Sequence, residues 1–287
     1  MLVHIKHIIK KAQAGNYAVG AFNVNDLEMV LAVLAAAEKM KSPAIIQVTE
    51  SAIKYAGLKE LFAIVKIGAD EIRAPIAIHL DHGQDFETIK KCVAAGFSSV
   101  MIDGSALPYA TNVALSKKVV QYCHRRNVFV QAELGQLQGP RPRGKREITR
   151  AQATDPAQAA DFALATGIDA LAVSIGNIHG VKKIIKHLPK KLNLKRLKEI
   201  AKLTHIPLVL HGASGFPAEQ IKKAVKSGIK IVNIDSELRL SFAAAEKKFF
   251  RENNNIFDPR KILSPAIAAM RKTVERKIKM FGSENKI

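Results

Sequence analysis

Eight short segments with the composition of buried β-strands recur along the chain, and stretches with helical spacing of apolar residues lie between them. Several of the strand-like segments are almost wholly apolar until their last residues, which is typical of parallel strands covered on both faces. The predicted strands are 18–24, 43–49, 76–82, 98–104, 129–135, 170–176, 207–213 and 230–236. The predicted helices are 26–41, 86–95, 108–126, 155–166, 194–203, 217–227, 237–251 and 259–281.

Eight strand–helix units in 287 residues predict an α/β fold, a (β/α)8 TIM barrel with extra C-terminal helices. A doubly wound sheet is the alternative, but no glycine-rich fingerprint follows the first strand. We find no linker rich in Pro, Gly or Ser, so residues 1–287 are predicted to form a single domain.

Polar residues are concentrated at the C-terminal ends of the predicted strands. In a TIM barrel these ends together form the face that carries the active site. His82, His179 and His211 end or follow strands 3, 6 and 7, each beside a glycine. Three histidines around one point are typical of a catalytic zinc site, although any one of them alone reads equally well as a polar strand terminus. Asp103 and Glu133 lie between them around the rim, where they would orient the histidines or bind a second cation.

Asp81 precedes His82 and has the opposite strand parity, so the two side chains are expected to point differently. Asp81 could then act as an acid and base while its neighbour holds the metal; the alternative is a helix cap or a supporting hydrogen bond. His79 is predicted to lie deeper, in the barrel interior. The remaining histidines are expected at the surface: His4, His7, His124, His187 and His205.

Two short polar segments, 212–215 and 233–236, follow strands 7 and 8. Phosphate groups are often bound at this place in barrels, by backbone N–H groups and hydroxyls. The position of the Gly-Ala-Ser-Gly segment, rather than its composition, makes it a candidate phosphate site.

The chain is strongly basic, with 45 Lys and Arg against 25 Asp and Glu and a formal net charge of +20. Such a charge favours anionic partners, among them phosphorylated metabolites and nucleic acid. Nucleic-acid binding through the basic stretches 141–150 and 182–198 is the remote alternative, because only 6% of residues are aromatic and none is Trp. The longest apolar run, 29–37, is too short to span a membrane, and with two cysteines and no signal-peptide pattern we expect a cytoplasmic protein.

These residues resemble the class II, metal-dependent fructose-bisphosphate and tagatose-bisphosphate aldolases over nearly the whole chain. The matching motifs are Ala-Phe-Asn-Val-Asn at 21–25, His-Leu-Asp-His-Gly at 79–83, the segment 96–105, Glu-Leu-Gly at 133–135, His-Gly-Ala-Ser-Gly at 211–215 and Asp-Pro-Arg at 258–260. They occur in the order of the family.

The resemblance implies Zn²⁺ bound by His82, His179 and His211, with Asp103 and Glu133 as acidic neighbours and Asp81 as the acid and base at the sugar's C4 hydroxyl. Co²⁺ or Fe²⁺ could occupy such a site, and some members also bind a monovalent cation. The residues that match substrate-binding positions are Asn23, Gly180, Lys183, Gly212, Ser214, Asn233, Asp235, Ser236, Arg239 and Arg260. Arg260 would reach the site of a neighbouring subunit, in a homodimer or homotetramer.

The implied reaction is reversible cleavage of a ketose 1,6-bisphosphate, most simply fructose 1,6-bisphosphate, to dihydroxyacetone phosphate and glyceraldehyde 3-phosphate. The alternative is a tagatose-1,6-bisphosphate aldolase or a related class II aldolase of altered specificity. The residues favour metal over a Schiff base independently, because predicted strand 6 and the end of strand 5 contain no Lys.

The loop 136–147 departs from the family, which usually has an acidic pair where this chain has Pro and Arg. The glycines and prolines of the longer basic loop 135–150 predict a mobile lid. We expect the basic side chains to attract the doubly charged substrate, and proton exchange to pass to water or to Glu147.

Overall fold

The computed structural model describes residues 1–136, 153–178, 180 and 191–287. Within these ranges eight parallel strands, each hydrogen-bonded to the next, close into a barrel when β8 pairs with β1. The strands are Val19–Asn23 (β1), Ala44–Thr49 (β2), Ile76–Gly83 (β3), Ser99–Ile102 (β4), Phe129–Leu134 (β5), Ala170–Val173 (β6), Leu208–Leu210 (β7) and Ile229–Ile234 (β8). The predicted TIM barrel is confirmed.

The helices of the described residues cover the outside of this barrel and both extremities of the chain. They are Ile5–Ala14 (α1), Leu27–Lys39 (α2), Glu50–Ala56 (α3), Leu58–Asp70 (α4), Phe86–Ala94 (α5), Tyr109–His124 (α6), Pro156–Thr166 (α7), Leu194–Thr204 (α8), Ala218–Lys226 (α9), Ser236–Glu252 (α10) and Pro259–Phe281 (α11). Asp26 and Asp85 begin α2 and α5 by accepting a backbone N–H of the first turn, as N-caps do. None of the helices described is both long and apolar enough to cross a membrane.

Two apolar layers lie on opposite sides of the strands, because successive strand residues alternate in direction. On β1, Phe22 packs in the outer layer with the helices, whereas Ala21 belongs to the inner layer. The inner layer is apolar near the start of the strands and becomes polar toward their ends, where Asn23, Gln47 and Gln131 are buried. The polar side chains inside the barrel are therefore grouped toward the C-terminal ends of its strands.

Helix α1 was not predicted, and it packs against the inner layer at the opposite end of the barrel. Its buried side chains are Ile5, Ile8, Ile9 and Ala12. Their i, i+3, i+4, i+7 spacing is the sequence signal that could have found this helix. Helices α3 and α4 were also missed; Thr49 caps the first, and Gly57 separates the two.

Several strands end earlier than predicted, so the polar residues follow the strands instead of belonging to them. Strand β4 ends at Ile102, before Asp103, and β7 ends at Leu210, before His211. Strand β8 ends at Ile234, and Ser236, predicted as its last residue, begins α10. The loops after the strands therefore carry part of the candidate site, including Asp103 and His211, while Asp81, His82 and Glu133 lie within β3 and β5.

The two predicted C-terminal helices are present, and they form a hairpin on the barrel. Helix α11 buries Met270, Val274 and Ile278, and it packs against α10 and α2. Helix α10 buries only Leu238 fully. Between them, Phe257 is 91% exposed, so this hairpin presents apolar surface away from the barrel.

Candidate active site

Asp81 and His82 both reach the barrel mouth, although strict alternation predicts that they diverge. His82 has a left-handed backbone (φ 51°), and the pairing of β3 with β4 shifts register between Leu80 and Gly83. A Cβ at Gly83 would lie 2.7 Å from the Met101 carbonyl oxygen, so only glycine fits this irregular edge. As a result, His82 Nε2 lies 3.9 Å from Asp81 Oδ1.

His82 and His211 meet across the barrel mouth. His82 Nε2 lies 3.1 Å from His211 Nδ1, and the two rings are nearly perpendicular. On its other side, His82 Nδ1 lies 2.8 Å from Asp103 Oδ2. Glu133 Oε2 lies 3.9 Å from His82 Nδ1 and 3.8 Å from His211 Nδ1. Two ring nitrogens thus face one point that is surrounded by carboxylates.

The charges of this cluster favour a cation. Burial alone would lower the pKa of His82, but Asp81, Asp103 and Glu133 raise it to about 10. Burial would also raise the pKa of Asp103, yet hydrogen bonds from His82 and Ser105 hold it well below its usual range. Imidazole and carboxylate are the donor set of Zn²⁺ and similar metals. Asp81 with the two histidines, and His82 with Asp103 and Glu133, are each close enough to hold one ion.

Asp81 is buried and held by two amide side chains. Its Oδ2 accepts a hydrogen bond from Asn23 Nδ2 at 2.8 Å, and its Oδ1 accepts a longer one from Asn233 at 3.4 Å. Gln47 in turn donates to Asn23 Oδ1 at 2.8 Å. Burial is the largest influence on Asp81 and raises its pKa, against the opposing effects of His82 and Asn23. A buried carboxylate of raised pKa beside a cation site is equipped to exchange a proton.

His211 is held from two directions. Its Nε2 lies 2.8 Å from Gln131 Nε2 and 3.1 Å from Asn233 Nδ2. Asn177 donates to the His211 backbone oxygen at 3.0 Å and also to Val173 O at 3.1 Å. These contacts restrict the imidazole so that Nδ1 faces His82.

Gln47, Gln131 and Asn177 were missed as site residues by sequence reasoning. The first two are polar residues at inward positions in the middle of mostly apolar strands, which is the signal that could have found them. His79, predicted for the barrel interior, is buried, and its Nδ1 lies 2.7 Å from Ser99 Oγ. Burial and the nearby His82 lower the pKa of His79 to about 3.

Most of the residues predicted to bind phosphate lie at the ends of β7 and β8, in the loops that follow these strands, or at the start of α10. Ser214 and Asn233 are buried, and Gly212 and Gly215 have left-handed backbones (φ 56° and 72°). Arg239 Nε donates to Asp235 Oδ1 at 2.6 Å. The loops therefore stand beside the His–carboxylate cluster, since Asn233 contacts both Asp81 and His211.

The other predicted residues are more distant or undescribed. Arg260 is 90% exposed in its side chain and pairs with Asp258 at the start of α11, away from the contacts described above. Gly180 is described with a left-handed backbone (φ 101°). His179, Lys183 and the basic loop from Leu137 onward lie outside the described residues. Among the histidines predicted at the surface, His7, His124 and His205 are exposed and His4 is half-buried, while His187 is not described.

A closed parallel barrel with a cation-binding cluster at its C-terminal mouth defines a TIM-barrel enzyme with a metal-type site. The family described as fructose-bisphosphate aldolase class-II matches residues 3–286. The chain is similar to a fructose-bisphosphate aldolase of Geobacillus stearothermophilus, with 41% identity over 99% of this chain and 98% of that protein. The crystal structure of the YdjI aldolase from Escherichia coli K12 superposes with a TM-score of 0.85 and 32% identity, over 99% of this chain and 98% of the other.

The protein belongs to the class II fructose-bisphosphate aldolase family. It is an aldolase, a carbon–carbon lyase. The family depends on a metal and acts on phosphorylated sugars. The His–carboxylate cluster fits such a metal, because two imidazole nitrogens converge within a ring of carboxylates.

Proposed function

We propose that the protein catalyses reversible, zinc-dependent cleavage of fructose 1,6-bisphosphate to dihydroxyacetone phosphate and glyceraldehyde 3-phosphate. The observation that carries the proposal is the approach of His82 Nε2 and His211 Nδ1 to 3.1 Å beside the buried carboxylate of Asp81. A metal site and a proton-exchanging group are the two elements that this chemistry needs without a Schiff base.

Asp81 acts as the base in the cleavage direction. Its carboxylate takes the proton of the C4 hydroxyl, C4 becomes the aldehyde carbon, and the electron pair of the C3–C4 bond passes to the dihydroxyacetone phosphate fragment. Asn23 and Asn233 hold the carboxylate in place. The proton that completes dihydroxyacetone phosphate comes from water or from Glu147, which lies outside the described residues.

His82, His211 and the undescribed His179 would bind Zn²⁺, or Co²⁺ or Fe²⁺ in its place. When bound, the metal supplies a Lewis acid for the negative charge that develops on the ketone side of the substrate. Asp103 holds His82 Nδ1 so that Nε2 would face the ion, and Gln131 restrains His211. Glu133 adds negative charge next to both rings.

The loops after β7 and β8 would bind the phosphate of the dihydroxyacetone end. Turns with left-handed glycines, together with hydroxyls, often bind anions. The proposed set is Gly180, Lys183, Gly212, Ser214, Asn233, Asp235, Ser236 and Arg239. Asn23 is assigned to the same substrate pocket, although its amide is engaged with Asp81 and Gln47.

A homodimer or homotetramer is part of the proposal. Phe250 is 50% and Phe257 is 91% exposed on the α10–α11 hairpin, close in sequence to the exposed Arg260. Association through this surface would cover the aromatic side chains and offer Arg260 to a neighbour's substrate. We also place the enzyme in the cytoplasm as a single domain, with a monovalent cation as an additional ligand.

The test is a coupled cleavage assay with fructose and tagatose 1,6-bisphosphates, before and after chelation. We expect fructose bisphosphate to be cleaved faster, activity to disappear with the chelator, and Zn²⁺ or Co²⁺ to restore it. Borohydride should trap no covalent adduct. Faster cleavage of tagatose bisphosphate would correct the substrate, and activity after thorough chelation would refute the metal-dependent mechanism.

A further inference from the structure

Lys277 is a charged residue buried almost completely on α11, and the reaction described above does not use it. The residue is 2% exposed. Its Nζ donates to Glu237 Oε1 at 2.6 Å. Burying an ammonium group costs free energy of desolvation, and lysine is therefore rarely buried unless it is paired. The pairing of Lys277 with Glu237 thus suggests a specific role for this residue.

Glu237 connects Lys277 to the loop after β7. It lies in the first turn of α10, immediately after Asp235 and Ser236. The same Oε1 that meets Lys277 also accepts the backbone N–H of Gly215. The backbone N–H of Glu237 donates to Ser214 Oγ at 3.4 Å. Glu237 thus joins the C-terminal helix to both residues at the end of the 212–215 loop, through its carboxylate at Gly215 and through its backbone N–H at Ser214.

The loop has reason to need such an anchor. Gly212 and Gly215 both have left-handed backbones, and glycine loses more conformational freedom on folding than other residues do. A loop that presents N–H groups to an anion must hold them in place before the anion arrives. An external hydrogen bond to Gly215 supplies part of that restraint.

We propose that Lys277 is a positioning residue for the phosphate end of the substrate. It holds the Glu237 carboxylate on the Gly215 N–H and so keeps Ser214 and the loop backbone in their binding geometry. The inference rests on the proposed binding of phosphate by this loop. Lys277 acts through Glu237, since its Nζ is paired with that carboxylate.

Loss of the ammonium group should move Glu237 instead of unfolding the protein. Arg276 is 61% exposed, and its guanidinium lies 3.6 Å from Glu237 Oε2. Without Lys277 the carboxylate would turn toward Arg276 and away from Gly215. Because the exposed Arg276 compensates this charge less than the buried Lys277 does, more negative charge would also remain behind a loop that has to receive a phosphate dianion.

The experiment uses the full-length, zinc-loaded protein and the variant Lys277→Met. Binding of dihydroxyacetone phosphate is measured by calorimetry, kcat and KM are measured with fructose 1,6-bisphosphate, and zinc affinity is measured by chelator competition. We expect the dissociation constant and KM to rise about tenfold, with kcat and zinc affinity unchanged. Lys277→Arg should recover part of the loss, because it keeps the charge.

The matched control is Lys39→Met. It removes an ion pair to the same helix, in which Lys39 Nζ lies 2.9 Å from Glu275 Oε2, at a place that does not contact the loop. This variant should bind dihydroxyacetone phosphate as the wild type does. An equal loss in both variants would overturn the inference, because it would reveal a general effect of loosening α11.

Two further outcomes are decisive. If the wild type binds dihydroxyacetone phosphate and folded Lys277→Met binds it equally well, the positioning role is refuted while the proposed function stands. If the wild type does not bind it, the phosphate site itself is refuted, and the inference with it. Should Lys277→Met fail to fold, the double variant Glu237→Gln with Lys277→Met leaves no buried charge unpaired. It should show the same loss of affinity, and an unchanged affinity would overturn the proposal.

Discussion

Asp103 Oδ2 lies 2.8 Å from His82 Nδ1, and this contact leaves the opposite ring nitrogen of His82 facing His211. Ser105 holds the other oxygen of the same carboxylate, with its hydroxyl at 2.7 Å. A carboxylate behind a histidine fixes the orientation of the ring and raises its basicity toward a metal. Asp103 therefore determines the orientation of the His82 imidazole at the C-terminal end of the barrel.

Asp103→Asn should weaken zinc binding by about 10–100-fold, because the amide keeps a hydrogen bond to His82 but loses the negative charge. Zinc affinity is measured by competition with a chromogenic chelator. Asp85→Asn is the control, since Asp85 caps α5 and its substitution keeps a good capping residue. Equal zinc affinities of wild type and Asp103→Asn would show that this carboxylate does not support the metal.

Asp81→Asn should lower kcat by about 10²–10⁴-fold while zinc affinity stays close to that of the wild type. The amide has the size of the carboxyl group but cannot accept a proton from the C4 hydroxyl. Steady-state cleavage and chelator competition give the two quantities. A variant that loses zinc, yet recovers its full rate in excess zinc, would identify Asp81 as a ligand and not as the base.

The Glu237–Lys277 pair predicts a specific dependence of stability on pH. Burial by itself would raise the pKa of Glu237, but Lys277, the Gly215 N–H and Arg276 hold it below its usual value. Its contribution to stability is therefore present above the unfolded-state pKa of about 4.3 and is lost as pH falls through the lower folded-state value.

Thermal unfolding midpoints measured from neutral pH downward test this expectation. Wild type should lose more stability than Glu237→Gln over the acidic window, since the variant has no carboxyl group to titrate. Glu219→Gln is the control, because Glu219 is 71% exposed and pairs only with Lys222 among the ion pairs described. Parallel pH profiles for wild type and Glu237→Gln would contradict the prediction.

Arg260→Ala should raise KM for fructose 1,6-bisphosphate without changing the thermal unfolding midpoint. The side chain is exposed and pairs only with the neighbouring Asp258 in the described structure, so folding does not depend on it. Sedimentation of the wild type should show an oligomer. A fully active monomer, or an unchanged KM in Arg260→Ala, would exclude a shared substrate site.

The sequence by itself determined the barrel fold and most of the polar residues at the C-terminal end of the barrel. Apolar strands that end in polar residues imply a parallel sheet covered on both faces, and parallel strands bring their C-terminal ends together. Asp81, His82, Asp103, Glu133 and His211 could therefore be assigned to one site. Local pattern was sufficient because each of these residues lies in the last part of a predicted strand or directly after one.

The tertiary structure decided what depends on neighbours distant in the chain. The register shift at β3 turned His82 toward Asp81, which alternation alone does not predict. Gln131 meets His211 across 80 positions, and Lys277 meets Glu237 across 40. Such contacts have no period in the sequence, because they arise only when the closed barrel brings separate elements together. A polar residue inside an apolar segment indicates that a partner exists, but only the packing of the folded chain identifies it.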